Sequence, residues 1–160
     1  MIRVTFLFAF VFSICFITQA QINPHAIGLR LASDNEANGA ELSYQHGLGD
    51  ANRLEFDLGL GAHKNHNNMF LAGIYHWVWN INGGLNWYAG PGAALGFHDH
   101  NKNSDDHFSL ALGGQIGIEF DFNSNNAPIL LSVDARPMWD FIGDTHNLGY
   151  GTALSIRYTW

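Results

Sequence analysis

Lysine is almost missing from this chain: of 160 residues only Lys64 and Lys102 are lysines, and charged residues of all kinds make up 13%. A soluble domain keeps itself in solution with a surface that is roughly 25–35% charged, so an ordinary water-solvated exterior is not expected. Basic charge is also short, with 7 Lys/Arg against 14 Asp/Glu and a net charge of −7. That balance excludes the electrostatic footprint of a nucleic-acid binder. Cysteine occurs once, at Cys15, which excludes a disulfide framework. No apolar run reaches the length of a membrane-spanning helix. What is present in quantity is glycine, 18 residues, and aromatic side chains, 14% of the total. Together they point to closely packed β-structure.

The first twenty residues read as a secretory signal peptide. Met1-Ile2-Arg3 is a short basic n-region, Val4 to Ile17 an uncharged apolar stretch, and Thr18-Gln19-Ala20 places small residues at −3 and −1. The expected division is therefore 1–20 signal peptide and 21–160 a single domain. Removing Arg3 leaves six Lys/Arg against fourteen Asp/Glu, a net charge of −8. Cys15 leaves as well. It follows Ile14, where a lipoprotein signal requires a small residue, so a lipid-anchored product is not expected.

The remainder alternates with period two, the signature of strands that face two environments. From Arg53 to His63, Leu54, Phe56, Leu58, Leu60 and Ala62 oppose Arg53, Glu55, Asp57, Gly59, Gly61 and His63. From Phe108 to Phe122, Leu110, Leu112, Ile116, Ile118 and Phe120 oppose Ser109, Gln115, Gly117, Glu119 and Asp121. At the C-terminus, Leu148, Tyr150, Leu154, Ile156, Tyr158 and Trp160 oppose Gly149, Gly151, Ser155 and Arg157. Segments His25–Ser33, Gly39–Leu48, Leu85–Phe97 and Ile129–Arg136 follow the same rule. Met69–Trp79 is apolar on both faces, with His76 on one parity and Tyr75 and Trp77 on the other. These make eight expected strands, most of them long enough to cross a membrane when tilted.

Their connections alternate in character. Ser33–Asn38, Lys64–Asn68, His98–His107 and Pro137–Asn147 are the longer, polar set, whereas Gly49–Asn52, Asn80–Gly84 and Asn123–Ala127 are tight Gly/Asn/Asp turns. Long loops on one rim and short turns on the other are the pattern of outer-membrane barrels. The expected fold is an all-β, eight-stranded, antiparallel up-and-down transmembrane barrel with a polar, filled lumen.

A soluble lipocalin-like barrel would alternate too, with its apolar parity inside. Here the polar parity is crowded with glycines (Gly28, Gly59, Gly90, Gly92, Gly117, Gly151) among isolated charges, which suits a narrow interior. The apolar parity carries aromatics near strand ends: Trp87, Phe97, Phe108, Phe120, Phe122, Tyr158 and Trp160. Those suit the girdles at membrane interfaces. Arg30, Glu41, Glu55, Asp57, Glu119, Asp121, Asp134, Arg136 and Arg157 are then all expected to point inward. Arg30 and Arg157 should bridge carboxylates across the seam of the first and last strands, and Arg136 should lie near Asp134. An eight-stranded barrel has room only for its own side chains, so no open pore is expected.

The stretches Ala26-Ile27-Gly28-Leu29-Arg30, Gly84-Leu85-Asn86-Trp87-Tyr88-Ala89-Gly90 through Gly96-Phe97, Pro128 to Pro137, and Ala153 to Trp160 resemble the small eight-stranded outer-membrane β-barrel family of Gram-negative bacteria. They are more distantly similar to the OmpX and OmpA transmembrane barrels. The resemblance implies residence in the outer membrane, facing lipid and lipopolysaccharide. It also implies that the assembly machinery recognises the final strand through Ile156, Tyr158 and Trp160, although Phe is the commoner last residue. Ala135 departs from relatives that often place an aromatic there.

Candidate chemistry is sparse, and no catalytic, cofactor or metal residue is assigned. Six of nine histidines (His63, His66, His98, His100, His107, His146) fall at the expected extracellular end. His98-Asp99-His100 and Asp105-Asp106-His107 could converge on Zn²⁺, or serve simply as hydrated turn residues. His107, Ser109 and Glu119 loosely follow the order of the lipid A deacylase barrels, with Ser109 as nucleophile and His107 as base. However, Ser109 and Glu119 share the inward parity, and Leu110 follows Ser109 where that family has a polar residue. The acidic loop residues Asp99, Asp105, Asp106 and Asp144 could bind divalent cations that bridge to lipopolysaccharide. The expected product is a monomeric, non-catalytic outer-membrane barrel with a structural or surface-interaction role. A deacylase-like enzyme and a soluble lipocalin-like carrier are the alternatives.

Overall fold

The computed structural model describes residues 22–33, 38–63, 66–98, 107–142 and 148–160. The expected leader, residues 1–20, and the loop residues Asp99, His100, Asp105, Asp106, Asp144 and His146 lie outside them.

Eight strands close into one barrel in sequence order: β1 (His25–Ser33), β2 (Asn38–Gly47), β3 (Asn52–His63), β4 (His66–Asn82), β5 (Leu85–His98), β6 (His107–Asp121), β7 (Ile129–Ile142) and β8 (Leu148–Thr159). Every neighbouring pair is antiparallel, and β1 meets β8 with Gly28 opposite Arg157 and Arg30 opposite Ser155. Closure removes both sheet edges, so every strand has a hydrogen-bonded neighbour on each side.

The turn end is compact. β4 passes to β5 through Gly83-Gly84, where Gly83 adopts φ 54 and the Asn80 side chain donates to its carbonyl at 2.7 Å. Between β6 and β7 the chain makes a single 3₁₀ turn, Phe122–Asn125, closed by Asn126 in the left-handed region. Asp121 caps that turn, accepting from the Asn123 backbone N–H at 2.9 Å. Phe122, expected as the last strand residue, is thus the first residue of the turn.

Two strands outrun their expected bounds. β4 begins at His66 and ends at Asn82 rather than spanning Met69–Trp79. β7 continues to Ile142 instead of ending at Arg136. A proline reads as a strand terminator because it lacks an N–H. Pro137 nevertheless pairs with Tyr150 of β8, and the ladder to β6 resumes at Gly113 opposite Met138. Trp139 and Phe141 keep the outward parity of Ile129, Leu131 and Val133, and the register to β6 shifts only beyond them, at Leu110/Ala111.

The distribution of polarity is inverted relative to a water-soluble protein. Leu29, Leu31, Leu42, Phe56, Met69, Trp77, Ile116, Ile118, Val133, Leu154 and Ile156 are exposed, while Arg30, Glu41, Glu55, Asp57, His76 and Arg157 are essentially inaccessible. Each of the eight strands presents at least one large apolar side chain outward. The belt therefore runs round the whole circumference, whereas an ordinary soluble monomer seldom exposes a continuous apolar patch above roughly 600 Å². The lipocalin-like alternative required the opposite arrangement.

Candidate functional site: a charged, closed lumen

The lumen is filled by four arginines and five carboxylates contributed by β1, β2, β3, β6, β7 and β8. Arg30 of β1 reaches Glu41 at 2.7 Å and also binds Asp134 of β7. Arg136 of β7 bridges Glu41 and Asp57, each at 2.8 Å. Arg157 of β8 lies 3.1 Å from Glu55 and donates to Ser43 at 3.0 Å and Ser132 at 2.9 Å. Arg53 of β3 grips Glu119 of β6 in a two-pronged contact at 2.7 and 3.1 Å. Parity explains the placement: each of these residues lies on its strand's inward register, shared with glycines on each of these strands but β7.

Burying a lone charge costs several kcal/mol, and removing one member of a buried pair leaves that cost uncompensated. The arrangement answers this by sharing. Glu41 serves two arginines, and Glu55 accepts from Gln45 and, at 3.1 Å, from Gln115 besides contacting Arg157. The five carboxylates Glu41, Glu55, Asp57, Glu119 and Asp134 outnumber the four guanidiniums by one. Among the described residues, Asp57 Oδ1, His76 Nε2, Gln115 Oε1 and Ser155 Oγ are buried without a hydrogen-bond partner. The connected ion pairs make the interior a packed polar core.

Aromatic side chains complete the filling. The Tyr88 ring lies 4.7 Å beneath the Arg53 guanidinium and its hydroxyl donates to Asp134 at 3.3 Å. Phe70 takes the Arg136 guanidinium over its face at 5.5 Å. Gly117 makes room for Tyr88, since a Cβ there would meet the phenol Cζ and Oη at 2.6 Å. Gly59 does the same for the Phe70 ring.

The mouth at the turn end is stoppered. Ile22 packs against Val78 and Tyr88, and its N–H donates to Asp50 at 3.1 Å. The Asn23 side chain donates to Asp121 at 2.8 Å, and Asn123 donates to Asn23 and to Thr159, both at 2.8 Å.

Most of the residues expected inside are there: Arg30, Glu41, Glu55, Asp57, Glu119, Asp134, Arg136 and Arg157 are buried. Asp121 is the exception; it is half-buried at the rim and serves the stopper and the turn. The partners also differ in part from expectation. Arg136 makes its ion pairs across the lumen with Glu41 and Asp57, and it is Arg30 that takes Asp134. Two strand neighbours on one face lie along the same wall, so the longer reach across a narrow barrel gives the better geometry. Sequence reasoning put Arg53 and Tyr88 on the inward parity without a role, and singled out neither His76 nor Phe70. Arg53 carried a readable signal, since it shares parity with Glu55 and Asp57. Tyr88 did too, sharing the parity of Asn86, Gly90 and Gly92; Phe70 did not, because its strand is apolar on both faces.

The deacylase-like trio is not assembled. Ser109 and Glu119 lie on one extended strand, ten residues apart, which is about 33 Å at strand rise. Glu119 is committed to Arg53, with Asn86 also donating to it at 3.4 Å. Nor is there, among the described residues, a cluster of three or more His, Cys, Asp or Glu able to hold a metal ion. The side chains of His63, His66, His98, His107 and Phe97 and Phe108 are outside the described ones, so the loop histidines are not located.

A closed, eight-stranded, up-and-down barrel with a charged interior and an apolar exterior defines the class of fold seen in small outer-membrane barrels. Comparison with solved structures bears this out. The chain is similar to the N-terminal β-barrel domain of Pseudomonas aeruginosa OprF (TM-score 0.66, 15% identity, covering 90% of this chain and 100% of that one). It is also similar to Neisserial surface protein A (TM-score 0.58, 16% identity, 85% and 94% covered) and to the attachment invasion locus protein Ail of Yersinia pestis (TM-score 0.52, 14% identity, 85% and 96% covered). At these identities the likeness is one of fold. No protein-family model matches the chain, and no curated protein matches it in sequence.

Proposed function

We propose that the protein is exported with residues 1–20 as a cleaved signal peptide and inserts into the outer membrane as a monomeric, non-catalytic barrel. Its role is to contribute to the structure and surface interactions of the envelope. The observation that carries this reading is the inverted burial: a guanidinium–carboxylate network inside and an unbroken belt of aliphatic side chains outside. Such a belt is matched to hydrocarbon, and the interior is too full for conduction. Aromatic pairs at the turn end, Trp79 stacked on Trp87 at 4.2 Å and Phe120 edge-on to Phe122 at 4.6 Å, suit the interfacial girdle. Assembly would proceed through recognition of β8 by the outer-membrane insertion machinery.

One related structure holds Ail in complex with the heparin analogue sucrose octasulfate. A sulfated polyanion is a poor match for the acidic loop residues of this chain, Asp99, Asp105, Asp106 and Asp144. Divalent cations bridging those loops to lipopolysaccharide phosphates fit better, and high ionic strength should then release the association. The experiment for the main reading is membrane fractionation with heat-modifiable gel mobility. Recovery in outer-membrane fractions, with a folded band that shifts on boiling, is expected; a soluble periplasmic product would overturn it. Lipid A mass spectra from cells with and without the protein should be identical, and a lost acyl chain would instead restore the enzymatic alternative.

A further inference from the structure

Outside the lumen, four rings gather at the turn end of the first–last strand seam, on the outward face of β1, β2 and β8. His25 and His46 are directly opposed across the β1–β2 ladder. Their Nδ1 atoms face one another at 3.4 Å. The Tyr44 hydroxyl sits 3.0 Å from the same His25 nitrogen. Trp160 stacks on the His25 ring at 5.3 Å, and two backbone hydrogen bonds at 3.1 and 3.2 Å tie His25 to Trp160. His25 is thus held in place by its neighbours, whereas His46 is exposed.

The spacing of the two nitrogens is informative. At 3.4 Å they are beyond the usual 2.7–3.2 Å hydrogen-bond range. Two imidazole nitrogens each about 2.0–2.1 Å from one tetrahedral ion are separated by about 3.3–3.4 Å. The pair therefore already has the separation that a shared metal requires, and little movement is needed to bind one. We propose that His25 and His46, with Tyr44 as the neighbouring oxygen donor, form a surface site for a borderline divalent transition-metal ion such as Zn²⁺, with water completing its coordination. Imidazole donors suit such an ion better than Ca²⁺ or Mg²⁺, which prefer all-oxygen ligands. Two histidines and a phenol are fewer strong donors than a closed structural site, so the ion is exchangeable. Its position clips β1 to β2 beside the strand that closes the barrel.

The test is calorimetric titration of the metal-stripped protein, extracted from membranes in detergent, with Zn²⁺. It is paired with Co²⁺ absorption, which reports tetrahedral nitrogen ligation. One ion per chain is expected. His46→Ala and His25→Ala should each weaken binding by roughly tenfold or more, and Tyr44→Phe by roughly tenfold. The triple substitution His98→Ala, His100→Ala, His107→Ala should leave that binding in place. Heat-modifiable mobility checks that each variant folds, and because His46 is exposed, His46→Asn serves if His25→Ala does not fold. Absence of saturable binding by the unaltered protein would overturn the proposal. So would binding that survives His46→Ala and disappears in the loop-histidine variant.

Discussion

Arg136 and Gly117 illustrate two ways in which single residues hold this interior. Arg136 neutralises Glu41 and Asp57 together, so Arg136→Met leaves Asp57 buried without a cationic partner and is expected to destabilise the barrel by about 3–5 kcal/mol. Adding Asp57→Asn should recover a substantial part of that loss; urea unfolding in detergent or vesicles measures both. Gly117 owes its identity to the phenol above it. Gly117→Ala is expected to cost about 1–3 kcal/mol through overpacking, and Tyr88→Val in the same chain should relieve the part owed to the ring while the contact with the Asp134 Cβ at 2.8 Å remains, which a double-mutant cycle would read as partial coupling. At this scale the sequence was informative about direction and silent about partners. Alternation placed Arg30, Glu55 and Arg157 inside, because one-residue parity is all that inward or outward requires. It could not say that Arg136 prefers Glu41 and Asp57 across the lumen, since which side chains meet depends on barrel tilt and register. Parity turned Tyr88 inward but could not turn Phe70, whose strand is apolar on both faces, and neither parity showed that Gly59 and Gly117 opposite them leave room for the rings.

Among the elements, β6 shows the two-faced strand most clearly. Ile116 and Ile118 are exposed while Gln115 and Glu119, one residue away from each, are buried. If the outer face meets hydrocarbon, Ile116→Arg near mid-strand should destabilise by roughly 2–4 kcal/mol, whereas Leu48→Arg beside the β2–β3 turn should cost about 0–1 kcal/mol. Reversible unfolding into lipid vesicles checks the contrast, and equal effects at the two depths would count against a bilayer environment. Strand existence was legible along the whole chain, and facing wherever the two parities differ; β4, apolar on both faces, showed that it is a strand but not which face turns inward. Element ends were less so. β7 runs past Pro137 because closure supplies a partner on its far side, Tyr150 of β8, a tertiary effect that outweighs the local loss of one donor. Phe122 left its strand for a 3₁₀ turn because Asp121 caps the turn there.

At the level of the molecule, the few charges and the many glycines belong to one design. The buried strand charges pair with one another in a space that glycines keep narrow, and the exterior needs no charge if its solvent is lipid. Reconstitution into a planar bilayer should accordingly give no sustained single-channel conductance, and a steady open level would show that the ion-pair network does not fill the cross-section. The stopper formed by Ile22, Asn23, Asp121, Asn123 and Thr159 adds a consequence of its own. With the turn-side mouth covered, water and protons reach the interior from that side only past this layer of side chains. In an oriented membrane, deuterium supplied from the turn side alone should leave the lumen-facing amides protected, so the molecule has a sidedness that its near-cylindrical wall does not display.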